Sequence, residues 1–242
     1  MSNSLAPKLL AELIGTFALV FIGAGAASIV GSAAGLGGIS AVAFAHGLTL
    51  MVFICAYGRV SGGHINPAVT VGVLAVGAIT AAEAASYIVS QIVGGIAGAM
   101  LLRIVLGGMA TGLGTSALAH GLVLGSSTVT ITPEIGFIVE AVLAFFLVTV
   151  VLSTAVAGRA AHLAPVAIGL TLVFNILMGG ALTGVAFNPA RALGPMIVTA
   201  NLNDAWLYVL APIVGAIIAA VVDLGLSRLA DERPAAAPAP AE

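Results

Sequence analysis

The chain has 242 residues and a formal net charge of −2, with 61% hydrophobic and only 7% charged residues and a mean hydropathy of +1.23. So few polar side chains cannot cover a soluble domain of this size, and the composition predicts an integral membrane protein. No basic cluster suggests a nucleic acid partner, and a single cysteine, Cys55, excludes an internal disulfide.

Six stretches of the chain are long and apolar enough to cross a bilayer as helices. In chain order they lie at about 8–30, 38–58, 81–106, 133–157, 163–182 and 204–229. Two shorter segments, at about 66–78 and 188–200, both begin at an Asn-Pro-Ala tripeptide. A capping-box pattern at Thr80-x-x-Glu83 and a proline after Thr132 support the helix starts that follow them.

The spans form two halves, 8–106 and 133–229, within one predicted domain that covers residues 1–230. The connector at 107–132 is rich in Gly, Ser and Thr. Residues 231–242 have the charged and Ala/Pro-rich composition of a disordered tail.

The distribution of cationic side chains predicts the orientation, because Lys and Arg favour the cytoplasmic side of a membrane. If the N-terminus is cytoplasmic, only Arg103 lies near the outer end of a span, while Arg191 belongs to a half-length segment. The remaining cations then lie on the cytoplasmic side: Lys8, Arg59, Arg159, Arg228 and Arg233. We therefore expect a multi-pass protein of the cell (plasma or inner) membrane with both termini in the cytoplasm.

The two halves repeat each other. The tetrapeptide Gly-Leu-Thr-Leu occurs at 47–50 and again at 169–172, in each case 19 residues before the asparagine of an Asn-Pro-Ala tripeptide. The tetrapeptides and the asparagines therefore share one offset of 122 residues. Because each half has an odd number of spans, the second half must be inverted across the membrane. The half-length helices then enter from opposite faces and meet at mid-depth.

The tripeptides Asn66-Pro67-Ala68 and Asn188-Pro189-Ala190 predict two helix starts, since Asn is a favoured N-cap and Pro a favoured first helical residue. Irregular backbone at membrane depth is tolerated where it lines a cavity, so the preceding loops should direct carbonyl oxygens into a water-filled pore. The predicted pore-lining carbonyls belong to Gly63, His64, Ile65, Gly184, Val185 and Ala186.

Asn66 and Asn188 are interpreted as a central constriction. If their side-chain oxygens cap their own helices, their NH₂ groups are free to donate into the pore. A molecule bonded to both donors uses its oxygen lone pairs, which interrupts proton hopping, and the positive helix ends oppose cations. The alternative is that both residues only cap re-entrant helices of another kind of transporter.

With these motifs, the chain resembles the aquaporins of the major intrinsic protein family over nearly its whole length. The matching features are both Asn-Pro-Ala boxes, Ser61-Gly62-Gly63-His64, Arg191, Gly194-Pro195 and two intramembrane glutamates. The resemblance implies an all-α right-handed bundle of six transmembrane helices plus two re-entrant half-helices with an inverted internal repeat. It also implies a homotetramer with one pore per subunit.

The resemblance further implies an outer selectivity filter of Arg191, His46, Ile176 and Val185, in which His46 and Arg191 are expected to donate hydrogen bonds to solutes. Water-selective bacterial relatives are expected to have Phe at the position of His46 and His at the position of Ile176. His46 with Ile176 instead resembles the plant vacuolar-membrane branch, whose members often pass ammonia or urea. The alternative for His46 is a histidine that is hydrogen-bonded between spans. His64 is expected to direct its backbone carbonyl to the pore while its ring packs behind.

Glu12 and Glu140 lie in apolar runs, where an ionised carboxylate without donors is very costly. We expect each to accept backbone N–H bonds from the adjacent re-entrant loop. They occupy corresponding spans of the two halves, the first and the fourth, so we interpret both as loop-bracing residues and not as a catalytic pair.

The predicted function is a passive channel for water and small neutral solutes such as ammonia or urea that excludes protons and ions. A glycerol or polyol facilitator is the first alternative, although that branch usually has Asp where this chain has Ala192. An ion channel or coupled secondary transporter is the second, but it needs more charges along the pathway. We expect no enzyme activity, no cofactor, no metal site and no nucleic acid partner; the lipid bilayer is the expected environment.

Overall fold

A computed structural model describes residues 4–31, 35–108 and 111–231. Asp231 is the last residue of the final helix, and the rest of the predicted tail lies outside the described residues. The helices are α1 (Leu5–Ala18), α2 (Gly35–Ser61), α3 (Pro67–Ala75), α4 (Ala81–Val105), α5 (Pro133–Val151), α6 (Ala164–Thr183), α7 (Pro189–Val198) and α8 (Ala205–Asp231). Turns of π-helix, Leu19–Ala24 and Ala27–Gly31, extend α1, and Leu152–Val156 extends α5.

Among the described residues, six helices are long and apolar enough to cross a membrane. They cover Leu5–Val30, Gly37–Ser61, Ala81–Val105, Pro133–Val156, Ala161–Thr183 and Ala205–Leu229. Each end lies within three residues of its predicted position. The half-length segments correspond to α3 and α7, so the predicted arrangement of six spans and two half-helices is confirmed.

The helix starts follow the predicted capping chemistry. Thr80 accepts a hydrogen bond from the Glu83 backbone N–H at 3.2 Å, which is one of the two bonds of a capping box. Asn66 accepts from the Ala68 N–H at 2.8 Å, with Pro67 in the first turn of α3. Local sequence therefore determines where these helices begin.

The connector between the halves is more ordered than its composition predicts. Strands β1 (Leu122–Leu124) and β2 (Ser127–Val129) form an antiparallel hairpin. Gly125 in its turn has a φ of +62°, a conformation that favours glycine. The Ile131 N–H then donates to the Ala119 carbonyl oxygen at 2.9 Å, which fixes the base of the hairpin.

The halves pack with an approximate two-fold relation. Helix α1 packs on α4 as α5 packs on α8, and each half-helix also contacts the last helix of the other half. At the centre α2 crosses α6 through the two tetrapeptides. A Cβ on Gly47 would lie 2.6 Å from the Gly169 carbonyl oxygen, and a Cβ on Gly169 would lie 2.7 Å from the Gly47 oxygen. The repeated glycine therefore allows the two backbones to touch.

Candidate pore

Glu12 braces the loop that leads into α3. Its side chain is fully buried and accepts from the backbone N–H groups of His64 at 2.9 Å and Ile65 at 2.6 Å. The Ser61 hydroxyl at 2.6 Å and Gln91 Nε2 at 2.7 Å complete the shell. Four donors thus satisfy one carboxylate.

Glu140 has the equivalent position at the second loop. It accepts from the Thr183 hydroxyl at 2.6 Å, from the Ala186 N–H at 3.1 Å and from the Phe187 N–H at 2.5 Å. Ile65 and Phe187, which precede the two asparagines, have positive φ angles of +54° and +27°. Such angles are uncommon for non-glycine residues, and the carboxylates bind the N–H groups of both.

The central asparagines are hydrogen-bonded across the two loops. Asn66 Nδ2 donates to the Phe187 carbonyl oxygen at 3.0 Å, and Asn188 Nδ2 donates to the Ile65 oxygen at 2.9 Å. Asn188 Oδ1 accepts from the N–H groups at the start of its own helix α7, as Asn66 Oδ1 does in α3. The prediction that both NH₂ groups are free was therefore wrong in part, because one proton of each amide is used between the loops and one remains.

The pore region contains two cavities, which we name outer and inner after the predicted orientation of the chain. The outer cavity has a volume of about 360 Å³ and is lined by all four predicted filter residues, His46, Ile176, Val185 and Arg191. The inner cavity, of about 10 Å³, is lined by both asparagines and by apolar side chains. This volume is close to the ~10–15 Å³ that one water molecule needs.

The residues of the predicted pore-lining carbonyls divide between these cavities. Gly63 and His64 line the inner cavity, whereas Gly184 and Val185 line the outer one. Ile65 and Ala186 line neither. The Ile65 carbonyl oxygen is instead bonded to Asn188, and the N–H groups of Ile65 and Ala186 are bonded to the bracing glutamates.

His46 contacts Arg191 with a ring nitrogen. Its Nδ1 lies 2.9 Å from the Val42 carbonyl oxygen, which can only accept, so Nδ1 carries the proton. Nε2 then accepts from Arg191 Nε at 3.3 Å. A Cβ on Gly23 would come within 2.5 Å of Nε2, so glycine in the first span leaves room for the ring. Both ring nitrogens are occupied, and the expectation that His46 donates to solutes was wrong.

The Arg191 side chain lines the outer cavity and is fixed by hydrogen bonds to the connector. It is 3% exposed, and its Nη1 donates to the Gly114 carbonyl oxygen at 3.0 Å and to Ser116 Oγ at 2.6 Å. In the described part of the chain no acceptor is hydrogen-bonded to Nη2, so this NH₂ group can donate to a solute in the cavity. Ile176 and Val185 contribute apolar surface to the same cavity.

The ring of His64 lies in a polar cluster. Its Nδ1 is 3.1 Å from Thr70 Oγ1, and its ring meets that of Tyr87 edge-on at a centroid distance of 5.2 Å. Gln91 Nε2 donates both to Thr70 Oγ1 at 3.0 Å and to Glu12. Gln91 was not predicted, although an amide within an apolar span is itself a signal of a buried polar role.

Two other contributors were missed for a different reason. Gly114 and Ser116 lie in a connector whose composition marks only a loop, and no motif there points to Arg191. Their part in the pore depends on how the connector folds.

Comparison with known proteins agrees with this geometry. The sequence profile of one family, described as Major intrinsic protein, matches residues 1–223. Aquaporin TIP4-4 from Zea mays is 40% identical over 224 residues, which cover 90% of this chain and 85% of the relative. Glycerol uptake facilitator protein-like 6 from Lactiplantibacillus plantarum is 40% identical over 220 residues, which cover 88% of this chain and 94% of the relative.

The fold is also that of a solved structure. The X-ray structure of the aquaglyceroporin from Plasmodium falciparum has a TM-score of 0.78 and covers 95% of this chain and 100% of its own. At 22% sequence identity this likeness concerns the fold alone, and it confirms the predicted fold class. The chain therefore belongs to the major intrinsic protein family, whose members are membrane channels and not enzymes.

Proposed function

We propose that this channel conducts water together with small neutral solutes such as ammonia and urea, and that it excludes protons and ions. The observation that carries the proposal is the outer cavity, whose lining combines one fixed cationic donor, Arg191, with the apolar side chains of Ile176 and Val185. Arg191 Nη2 can donate to the oxygen of water or urea or to the lone pair of ammonia. Ile176 and Val185 offer these solutes no competing hydrogen bond.

The outer cavity is large enough to hold solutes of this size. A cavity of about 360 Å³ admits molecules larger than water up to the constriction. His46 is held by Val42 and Arg191 and adds no second donor to the lumen. A filter with a single donor and an apolar remainder binds water less selectively than one with several donors, because selectivity depends on matched hydrogen-bonding groups.

The exclusion of protons and cations is assigned to the centre of the pore. The remaining protons of the Asn66 and Asn188 amides can each donate to a passing water. The N-termini of α3 and α7 meet near these residues and add the positive ends of two helix dipoles.

A polyol facilitator is the second candidate. It is favoured by the relative named as a glycerol uptake facilitator protein, which is as similar to this chain as the plant aquaporin. Overall sequence identity therefore does not distinguish a water channel from a polyol facilitator. The four filter side chains favour the first proposal.

We further propose that residues 1–230 act as one channel domain in the cell (plasma or inner) membrane, with both termini in the cytoplasm. The proposed assembly is a homotetramer with a pore in each subunit. The cationic residues at the predicted cytoplasmic ends of the spans support the orientation.

The decisive test compares the wild type with Ile176→His in proteoliposomes, by stopped-flow light scattering with water, urea, glycerol and ammonia gradients. A second ring would narrow the filter and add a donor, so we expect ammonia and urea flux to fall more than water flux. Ile176→Val, which keeps the wall apolar, is the matched control. Unchanged urea-to-water and ammonia-to-water ratios would refute the filter assignment, and glycerol flux exceeding both would favour the polyol alternative.

A further inference from the structure

We propose that Ser116, in the connector between the two halves, is a specificity-determining residue that positions the Arg191 guanidinium at the outer constriction. This inference rests on the function proposed above, because it concerns the same pore. The serine does not need to touch the solute, since it acts through the arginine.

The contacts of Ser116 join two parts of the filter. The residue is 3% exposed, and its Oγ accepts from Arg191 Nη1 at 2.6 Å. The same hydroxyl donates to the Gly184 carbonyl oxygen at 3.1 Å. A hydroxyl has one proton, so the bond to Gly184 leaves the lone pairs of Oγ to Arg191. Ser116 thereby links the arginine to the loop that leads into α7.

The segment that carries Ser116 is itself fixed. Leu113 is fully buried against the first span. Gly114 has a φ of +64°, and a Cβ there would lie 2.5 Å from the Ala24 carbonyl oxygen. On the other side of Ser116, the Ala119 N–H donates to the Leu182 oxygen at 2.9 Å. A side chain on such a segment can hold a long arginine in one conformation.

Loss of the Ser116 hydroxyl would leave one Nη1 proton of Arg191 without its acceptor, next to the outer cavity. A hydrogen bond to a charged group is strong enough to change the ratio of held to released conformers by about tenfold or more. A released guanidinium would extend into the lumen, where water molecules can accept its hydrogen bonds. There it would obstruct urea more than the smaller water molecule.

The experiment uses the full chain in proteoliposomes and compares the wild type, Ser116→Ala and Thr130→Val. Thr130 in the same connector is the control, because its hydroxyl accepts from the Gly121 N–H and the residue does not line the outer cavity. Urea and water permeability are measured by stopped flow. The exchange of arginine side-chain protons with water is measured by ¹⁵N solid-state NMR, with the Arg191 signals assigned from Arg191→Lys.

We expect Ser116→Ala to lower the urea-to-water ratio several-fold and to speed the exchange of the Arg191 Nη protons, whereas Thr130→Val changes neither. A purely structural role would not alter the exchange at Arg191 selectively. Ser116→Cys, which keeps the size of the side chain but bonds weakly, should show a smaller change and replaces the alanine variant if that protein does not fold.

Equal exchange rates at Arg191 in Ser116→Ala and Thr130→Val would overturn the proposal. If the wild type conducts urea, an unchanged urea-to-water ratio in Ser116→Ala would overturn it as well. If the wild type passes water but neither urea nor ammonia, the proposed solute range fails on its own. The NMR comparison then still decides the role of Ser116.

Discussion

Glu12, Glu140 and Arg191 are buried in an apolar bundle, where an unpaired charge is very costly. The carboxylates are satisfied by backbone N–H and side-chain hydroxyl donors, and the arginine by a carbonyl, a hydroxyl and a ring nitrogen. Each charge therefore fixes a loop whose backbone lacks regular partners. We attribute the shape of the pore to these three residues, because the loops and the connector meet at them.

Glu140→Ala is predicted to destabilise the protein. The change leaves the Ala186 and Phe187 N–H groups and the Thr183 hydroxyl without their acceptor, and each unpaired buried donor costs about 1–3 kcal/mol. We expect a lower thermal midpoint in detergent, measured by the fluorescence of the single tryptophan. Glu134→Ala, an exposed glutamate on the same helix, is the control. If Glu140→Ala kept the thermal midpoint of the wild type and lost only water conduction, the bracing role would be contradicted.

At the scale of elements, glycines determine how closely the helices pack. Gly47 and Gly169 touch at the centre of the bundle, and the equivalent pair Gly94 and Gly215 contact the Leu13 and Ala141 carbonyl oxygens. Close backbone approach matters in a membrane, since apolar burial gives little preference for helix over lipid. The repeat therefore conserves small residues at crossings as well as the Asn-Pro-Ala boxes.

Gly47→Ala is expected to lower the thermal midpoint, because its Cβ would lie 2.6 Å from the Gly169 carbonyl oxygen. Overpacking of this kind costs about 1–3 kcal/mol. Gly58→Ala on the same helix is the matched control, since its nearest neighbour would be the Ile54 side chain at 3.5 Å. Equal thermal midpoints for the two variants would show that helices α2 and α6 can move apart enough to accept the added methyl group.

The elements also show what sequence can predict. Spans and half-helices were located to within three residues because apolar length and N-caps are local properties. The hairpin at 122–129 was missed, although Gly125-Ser126 between two short runs that contain β-branched residues is a recognised turn signal. The contact of Ser116 with Arg191 could not be found this way, because the two residues are 75 positions apart and meet only in the folded chain.

For the whole molecule, the two-fold repeat builds the scaffold and a few substitutions make the pore asymmetric. At the repeat offset of 122 residues, His46, Ile176, Val185 and Arg191 correspond to Ile168, Ile54, Gly63 and Val69. All four equivalents line the inner cavity. The same positions thus form a wide outer cavity with a cationic donor and a narrow inner cavity that is nearly apolar. The same architecture therefore places a cationic donor at one end of the path and a nearly apolar lining at the other.

This arrangement predicts passive water flow in both directions without ion current. An apolar path of about 10 Å³ beside the asparagines leaves an ion no substitute for its hydration shell. We expect equal osmotic permeability for inward and outward gradients, and no single-channel current in planar bilayers. Ile168→Trp fills the inner cavity and should reduce water permeability towards that of empty vesicles. Val166→Trp, on the same helix but 44% exposed, should leave it unchanged. A measurable cation conductance in the wild type would contradict the exclusion of ions. Equal water flux in the two tryptophan variants would show that water does not pass through this cavity.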